Sequence, residues 1–550
     1  MQAQRFAQQS ASRSTQLTME FPTMNEHASA GFRLTYSTMF DPPASLHQRF
    51  EAALGALDTV AGREHPMIIG GKEIRSTAGF EVRSPIDRRR LLGVFQRGDA
   101  SQARDAVAAA AAAWPGWAAT PWRERVRLLR RAAALIEERV YDLSAALAVE
   151  VGKTRMEAIG EVQESADLIS WYCDRFEEAD GFARALPDDP LTGWRSRNAT
   201  RLRPYGVWAI VAPFNFPVAL AAGPIGAALV TGNTVVFKVA SDTAWSGTLL
   251  MNVFRDAGLP AGVVNHLTGD GAVVGAALAG DPGVAGITFT GSSEVGQSLV
   301  QRFAAGPWAR PCIAEMGGKN ATVVSRHADL ERAATGIVRS AFGLQGQKCS
   351  ACSRVYVERP LADALRARLV ELTAALRVGD PTRRENAMGP LINQAAFERY
   401  ARCVEQLRRH GVIDTGGESM TQGELAHGWY VAPTIARAPR DFRLWREEKF
   451  IPLVLVEAID SVEEGIALAN ASACALTAGF YGAPEEINGF VDRIEAGVVY
   501  VNRPQGATTG AWPGYQPFGG WKGSGSTGKA IGSFWYLPLY LREQACTIVD

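Results

Sequence analysis

Residues 204–237 carry no charged side chain, and this run restricts the fold more than any other stretch. It is long enough to cross a bilayer. Pro213, Pro217, Gly223 and Pro224 interrupt it, with Asn215 among them. In lipid, each break would leave backbone N–H and C=O groups without partners. The run therefore reads as a buried strand, an irregular turn and a buried helix, and no membrane is expected as a partner.

The same grammar continues on both sides. Residues 207–212, 234–240, 263–267 and 286–290 are short runs rich in β-branched or apolar residues, and 218–229, 244–257 and 272–279 between them read as helices. Strands alternating with helices at this spacing imply βαβ units, with helices on both faces of a parallel sheet. A second α/β set begins near 321–325 and continues past 355–357 to 499–501. Ahead of the first set, 105–113 and 124–149 read as helices, the second of them long. Residues 187–202 are polar and punctuated by proline, an excursion from the main domain.

At 550 residues the chain exceeds one hydrophobic core. Lys+Arg and Asp+Glu balance at 57 each, so nothing marks nucleic acid as a partner. Seven thinly spread cysteines do not make a secreted disulfide framework and place the protein in a reducing compartment, the cytoplasm. Arg5 and Arg13 sit in an opening segment without an apolar stretch, which reads as a flexible extension rather than a secretory signal.

Five local patterns can carry chemistry. Cys349, in GQKCSAC at 346–352, becomes a nucleophile if positive charge or helix-end dipoles lower its pKa, and Lys348 is the nearest such charge. It is otherwise a buried structural thiol, or half of a CxxC pair with Cys352. No second CxxC or histidine cluster supports a metal. Glu315, in EMGGKN, is either a desolvated general base or a solvated turn residue. Asn215, in PFNFP, either donates to an oxyanion or closes an Asx turn. FTGS at 289–292 runs from a strand into a helix start, where exposed amides favour phosphate or merely make a turn. Lys238 ends a strand, positioned for a ribose or phosphate, or simply solvated. Gly269, Gly271 and Gly275 form GxGxxxG, not the GxGxxG dinucleotide fingerprint.

Taken in order, PFNFP, FK, FTGS, EMGGKN, GQKCSA, REEKF and PFGGWKGSG resemble the aldehyde dehydrogenase superfamily from about residue 67 to the end. The resemblance implies an α/β fold: a Rossmann-type cofactor domain over 41–312, interrupted by an oligomerisation excursion at 187–202; a catalytic domain over 313–500; a substrate-anchoring loop over 501–535; and an oligomerisation strand over 536–550, with 1–40 outside. It implies that Cys349 attacks the aldehyde, that Asn215 and the Cys349 amide hold the oxyanion, and that Glu315 activates the water that hydrolyses the thioester. Lys238 and Glu448 would hold the two riboses of NAD, Phe450 would stand near the nicotinamide ribose and Ser292 near the pyrophosphate, with Pro213, Phe289 and Gly291 beside them. Ser241 stands where many NAD-preferring members carry a glutamate that repels a 2′-phosphate, so some NADP use is expected. Ile451 stands where a glycine is usual.

A narrower likeness, in residues 63–72, GQKCSACSR and the stretch 509–520, is to the 1-pyrroline-5-carboxylate (glutamate semialdehyde) dehydrogenases. It implies that Ser350, Gly510 and Ala511 grip the substrate carboxylate, that Glu157 faces its ammonium group, and that Phe216 and Phe518 box its aliphatic chain. Trp512 and Pro513 are bulkier than this pattern expects. They leave open another semialdehyde or an aromatic aldehyde, with Trp512 lining the entrance; a non-catalytic scaffold is the reading from outside enzymology. The resemblance also implies a homo-oligomer.

Overall fold

The computed structural model describes residues 35, 39, 42–190, 192–504, 506 and 512–549; the expected extension at 1–40 and the pair Gly510 and Ala511 lie almost wholly outside them. Two large sheets organise the chain. In the first, Cys312–Glu315, Val284–Thr290, Val207–Val211, Thr234–Lys238 and Val264–Leu267 lie side by side in parallel, with Met67–Ile69 and Lys72–Ile74 added antiparallel at one edge. Both faces are covered, so Thr234–Lys238 is buried at every position. This is the pattern of an interior parallel strand, continuous rather than alternating.

Val207–Val211 sits at the point where the winding reverses. From it the chain moves outward to Thr234–Lys238 and Val264–Leu267, then crosses back to Val284–Thr290 on the other side. Such a reversal opens a crevice at the carboxyl ends of the two diverging strands. The PFNFP turn follows one of those strands, and Thr290, Gly291 and Ser292 follow the other. After the turn comes the helix Ala219–Val230, buried at all but Leu220. It lies close against the helix Arg155–Glu178, because a Cβ on Gly223 would stand 2.9 Å from Leu168 Cδ1 and one on Gly226 3.0 Å from Ile169 Cγ1. Among the described residues no helix is long and apolar enough to cross a membrane.

The second sheet runs Val412–Thr415, Thr434–Arg437, Leu453–Ile459, Cys352–Glu358, Asn320–Val324, Thr477–Tyr481, Val498–Val501, parallel except at its first strand. The first sheet extends to Glu315, which pairs with Thr290; it therefore passes the boundary at 312 read from the sequence. Residues 316–319 are the bridge between the sheets.

Two local expectations change. The helix expected over 124–149 is two helices, Trp122–Glu138 and Val140–Val151, broken at Arg139 (φ −98°, ψ 17°). Arg139 pairs there with Asp256 at 2.8 Å. No Gly or Pro marks that break, so periodicity runs through it. The helix expected over 272–279 opens with a π-turn, Gly271–Gly275, before Ala276–Gly280. The excursion forms Ala183–Leu186 and Ser196–Pro204, and the tail strand Leu541–Val549 pairs antiparallel along the latter.

Candidate active site

Asn215 is buried, and its side-chain amide donates to the Gln347 carbonyl at 3.0 Å, tying the turn after the first sheet to the loop that carries Cys349. Glu161 accepts from the Val218 and Ala219 amides at 2.8 and 3.2 Å. These are donors that the start of the next helix leaves free. Lys153 pairs with Glu161 inside the protein, and its ammonium stands 3.7 Å from the centroid of the Phe216 ring.

The helix Leu330–Phe342 ends in a loop whose backbone is strained: Leu344 (φ 47°) and Gln345 (φ 55°) both adopt the left-handed region. Such conformations cost about 1–3 kcal/mol each and persist only where the surroundings fix them. Here the Leu344 amide donates to Glu157 Oε1 at 2.8 Å, Gln345 Nε2 to the Gly152 carbonyl at 3.0 Å, and the Ile392 amide to Gln347 Oε1 at 3.0 Å. Beyond the loop, Asn320 Nδ2 donates to the Cys349 carbonyl at 2.6 Å.

Burial pushes the Cys349 thiol up to about 12, and the Glu448 and Glu315 carboxylates push the same way; the Cys349 and Ser350 amides oppose them. The Lys348 ammonium is shared between two neighbours, the Cys349 thiol and the Glu157 carboxylate. It lies 3.6 Å from Glu157 Oε1. Glu315 Oε2 is buried without a hydrogen-bond partner among the described residues, and burial holds its carboxyl well above the usual range. A desolvated carboxyl of this kind is suited to taking up a proton.

The two glycines after Glu315 explain why the strands can converge. A Cβ on Gly317 would stand 1.8 Å from Glu448 Oε2, and one on Gly318 2.5 Å from the Cys349 carbonyl oxygen. Glu448 is held by the Gly318 amide at 3.0 Å. Burial raises its carboxyl to about 7 and lowers the neighbouring Lys319 to about 7. Phe450 takes a left-handed backbone (φ 57°) and meets Phe214 edge to face at 5.8 Å. Ile451 is buried, its carbonyl oxygen 2.5 Å from where a Gly346 Cβ would stand.

Lys238 is buried at the carboxyl end of its strand; burial lowers it to about 8 against the charges of Asp270 and Asp242. Its ammonium would lie 3.9 Å from a Cβ on Gly271, and Ser241 Oγ donates to the Gly269 carbonyl at 2.9 Å. The glycine pattern that was weak by itself thus packs beside Lys238. Asp242, which sequence reasoning missed, reaches across to Asn393, whose side-chain amide donates to it at 3.3 Å. On the opposite lip, Ser292 caps the helix Ser293–Ala304 by accepting from Val295 N, and the Gly291 amide donates to the Glu315 carbonyl at 3.1 Å. Phe289 packs with Ala314 and Met316. Pro213 is half-buried just before Asn215.

The proposed substrate residues fare unevenly. Ser350 is buried next to Cys349, Phe216 is buried against Lys153, and Phe518 pairs with Ile531 through the backbone. Gly510 and Ala511 lie outside the described residues. Glu157 is a correction. One oxygen accepts from the Thr154 amide and hydroxyl and the other from Leu344, with Lys348 alongside, so the carboxylate is committed to its own helix start and to the loop rather than left for a substrate ammonium. Trp512 is buried in the main core, not set at an entrance.

Lys153, Glu161, Gln347 and Asn320 were also missed. A usable signal existed for the acidic pair: Glu157 and Glu161 are four apart on a helix whose neighbours are Ala, Ile, Gly and Val, where a solvated carboxylate has no reason to be. All seven cysteines are free thiols. Among the described residues, no group of three or more His, Cys, Asp or Glu side chains is arranged to hold a metal ion.

The sequence pattern of the aldehyde dehydrogenase family matches residues 73–545. A 1-pyrroline-5-carboxylate dehydrogenase from Bacillus mycoides (strain KBAB4) is 37% identical over 502 residues, 90% of this chain and 95% of that one. Among solved structures, the 1-pyrroline-5-carboxylate dehydrogenase from Thermus with bound NAD superposes with a TM-score of 0.88 at 32% identity, covering 95% of this chain and all of that one. The proline utilization A protein from Bdellovibrio bacteriovorus gives 0.85 at 33% identity over 91% of this chain; the match spans 51% of that longer protein.

Proposed function

The chain belongs to the aldehyde dehydrogenase family, and from that premise we propose that it oxidises L-glutamate γ-semialdehyde, the open form of 1-pyrroline-5-carboxylate, to L-glutamate with NAD in proline breakdown. The observation that carries the reading is the convergence on Cys349: Asn215 is tied to its loop through Gln347, Asn320 holds its carbonyl, and Glu448 is cradled by Gly317 and by Gly318, which itself packs against that carbonyl.

The residues fit a dinucleotide. Lys238 offers a buried ammonium beside glycine backbone, Glu448 a buried carboxylate cradled by Gly317 and Gly318, and Ser292 a helix N-terminus at the sheet crevice. Bound there, NAD supplies the hydride acceptor.

The chain's own part follows from charge. The thiol is protonated at rest, so its proton is lost to solvent water as sulfur attacks. The carbon–sulfur bond forms and the carbonyl oxygen becomes an oxyanion, to which the Cys349 amide and Asn215 Nδ2 donate. After oxidation, the thioester is opened by water that gives its proton to Glu315. The new carbon–oxygen bond replaces carbon–sulfur, and the thiol is regenerated. Ser350, Gly510 and Ala511 are the proposed holders of the substrate carboxylate, with Phe216 and Phe518 along its chain.

We also place the enzyme in the cytoplasm as a homo-oligomer. Free thiols support the first. The three-stranded sheet of the excursion and tail supports the second: Leu186, Ile548 and Val549 are exposed on it, with Trp194 exposed in the connection between two of its strands, an apolar surface that pairing would cover. NAD reduction measured with glutamate semialdehyde, succinate semialdehyde and benzaldehyde tests the substrate. A kcat/KM at least tenfold higher for glutamate semialdehyde is expected, and a preference for benzaldehyde would overturn the assignment.

A further inference from the structure

Glu157 and Glu161 lie one turn apart on the helix Arg155–Glu178, yet they hold different parts of the site. Glu161, charge-paired with Lys153, binds the first amides of the helix that follows Asn215. Glu157 binds the Leu344 amide in the strained loop before Cys349 and pairs with Lys348. Gly152, just before the helix, accepts from Gln345 in that loop. Both glutamates accept from backbone amides, and Gly152 accepts from the Gln345 side chain.

We propose that residues 152–161 form a two-armed clamp that sets the distance between Asn215 and Cys349, Glu161 fixing the oxyanion-binding turn and Glu157 fixing the nucleophile loop. The clamp makes both residues positioning residues. It rests on the reading of Cys349 as nucleophile. Its physical basis is that Leu344 and Gln345 sit in costly conformations that a free loop would abandon. The peptide hydrogen bond to an ionised carboxylate is among the stronger ones available to hold them. A shift of about 1 Å between reacting groups lowers rates by about 10²-fold, so loss of one arm is felt in turnover before it is felt in stability.

The test uses the full-length enzyme carrying Glu157→Ala, with Glu157→Gln as the variant that keeps an acceptor for Leu344 but drops the charge. Two readouts are taken. The first is kcat and KM for the aldehyde, alone and in the Asn215→Ala background. The second is the rate at which iodoacetamide labels Cys349, followed on its own peptide by mass spectrometry, which requires no turnover. Glu157→Ala is expected to lower kcat at least about tenfold, with KM little changed and labelling accelerated as the loop loosens. Glu157→Gln is expected to recover part of both. In the Asn215→Ala background the further loss from Glu157→Ala is expected to shrink to about twofold, because the distance being set no longer matters. A raised KM with unchanged kcat would return Glu157 to the substrate and overturn the clamp, as would fully additive losses or a labelling rate unchanged from wild type. Full activity in Cys349→Ala would remove the nucleophile assignment instead, and labelling would still report whether Glu157 holds the loop.

Discussion

Residues 238–243 and residues 343–349 both end at the site, but the first segment is a direct strand-to-helix link with two distant ties, Ser241 to Gly269 and Asp242 to Asn393, and the second is held from several distant sides. Lys238 ends a buried strand, Ser241 opens the next turn, and the helix Ala244–Asp256 follows at once. Strand, turn and helix set the course of that lip, and its backbone carries no strained residue between 238 and 243. The nucleophile loop has no such support. Its partners are Gly152, Glu157, Asn215 and Ile392, and its backbone is strained at two positions. A binding lip tolerates local construction because its ligand is large and makes several contacts; a single sulfur atom has to be fixed from several sides.

Perturbing the two segments should therefore give different signatures, beginning with the largest. Asn215→Ala should lower kcat by about 10²–10³-fold, the scale for one oxyanion donor, while NAD affinity measured by fluorescence titration stays close to wild type. A loss confined to NAD binding would break the distinction. Gly317→Ala puts a Cβ where Glu448 Oε2 now stands and should weaken NAD binding by about tenfold, the equivalent of the lower end of overpacking costs. Unchanged affinity would mean that Glu448 does not hold the cofactor in this position.

The pH dependence sharpens the cofactor side. Glu448, raised to about 7, accepts from ribose hydroxyls best when ionised, so affinity should fall as pH drops below about 7. Lys238, lowered to about 8, donates best when protonated, so affinity should fall again above about 8. Calorimetric titration of NAD from pH 6 to 9 should show tightest binding between these values, and a flat profile would remove one or both residues from the ribose sites. The smallest effect is expected from Ser241→Glu, which places a carboxylate opposite a 2′-phosphate. It should reduce kcat/KM for NADP several-fold more than for NAD, and equal changes for both would shift discrimination to Asp242, whose charge already acts on Lys238.

The same contrast decides what was legible in the sequence. The strands read at 207–212, 234–240, 263–267 and 286–290 stood out because β-branched runs and following turns are local signals, and each falls within two residues of its observed bounds. The break at Arg139 did not stand out, since no Gly or Pro marks it and apolar periodicity runs through it. Cys349, Glu315 and Asn215 were visible as motifs, but each motif alone allowed a bland reading, and only their order along the chain pointed to chemistry. The committed carboxylate of Glu157 was invisible. Nothing in a helical glutamate reveals that its partner amide is at Leu344, 187 residues away. Lys348 stayed open in the sequence, because adjacency to Cys349 does not say where a long side chain points; its ammonium lies against Glu157.

The central claim, that Cys349 carries the substrate as a thioester which Glu315 helps to hydrolyse, is tested most directly in Glu315→Gln. Mixed rapidly with NAD and glutamate semialdehyde, this variant should release one equivalent of NADH per site and then slow sharply. Acid quenching should leave an acyl group on the peptide that contains Cys349. Steady NADH production without a burst, with that peptide unmodified while glutamate accumulates, would contradict the account.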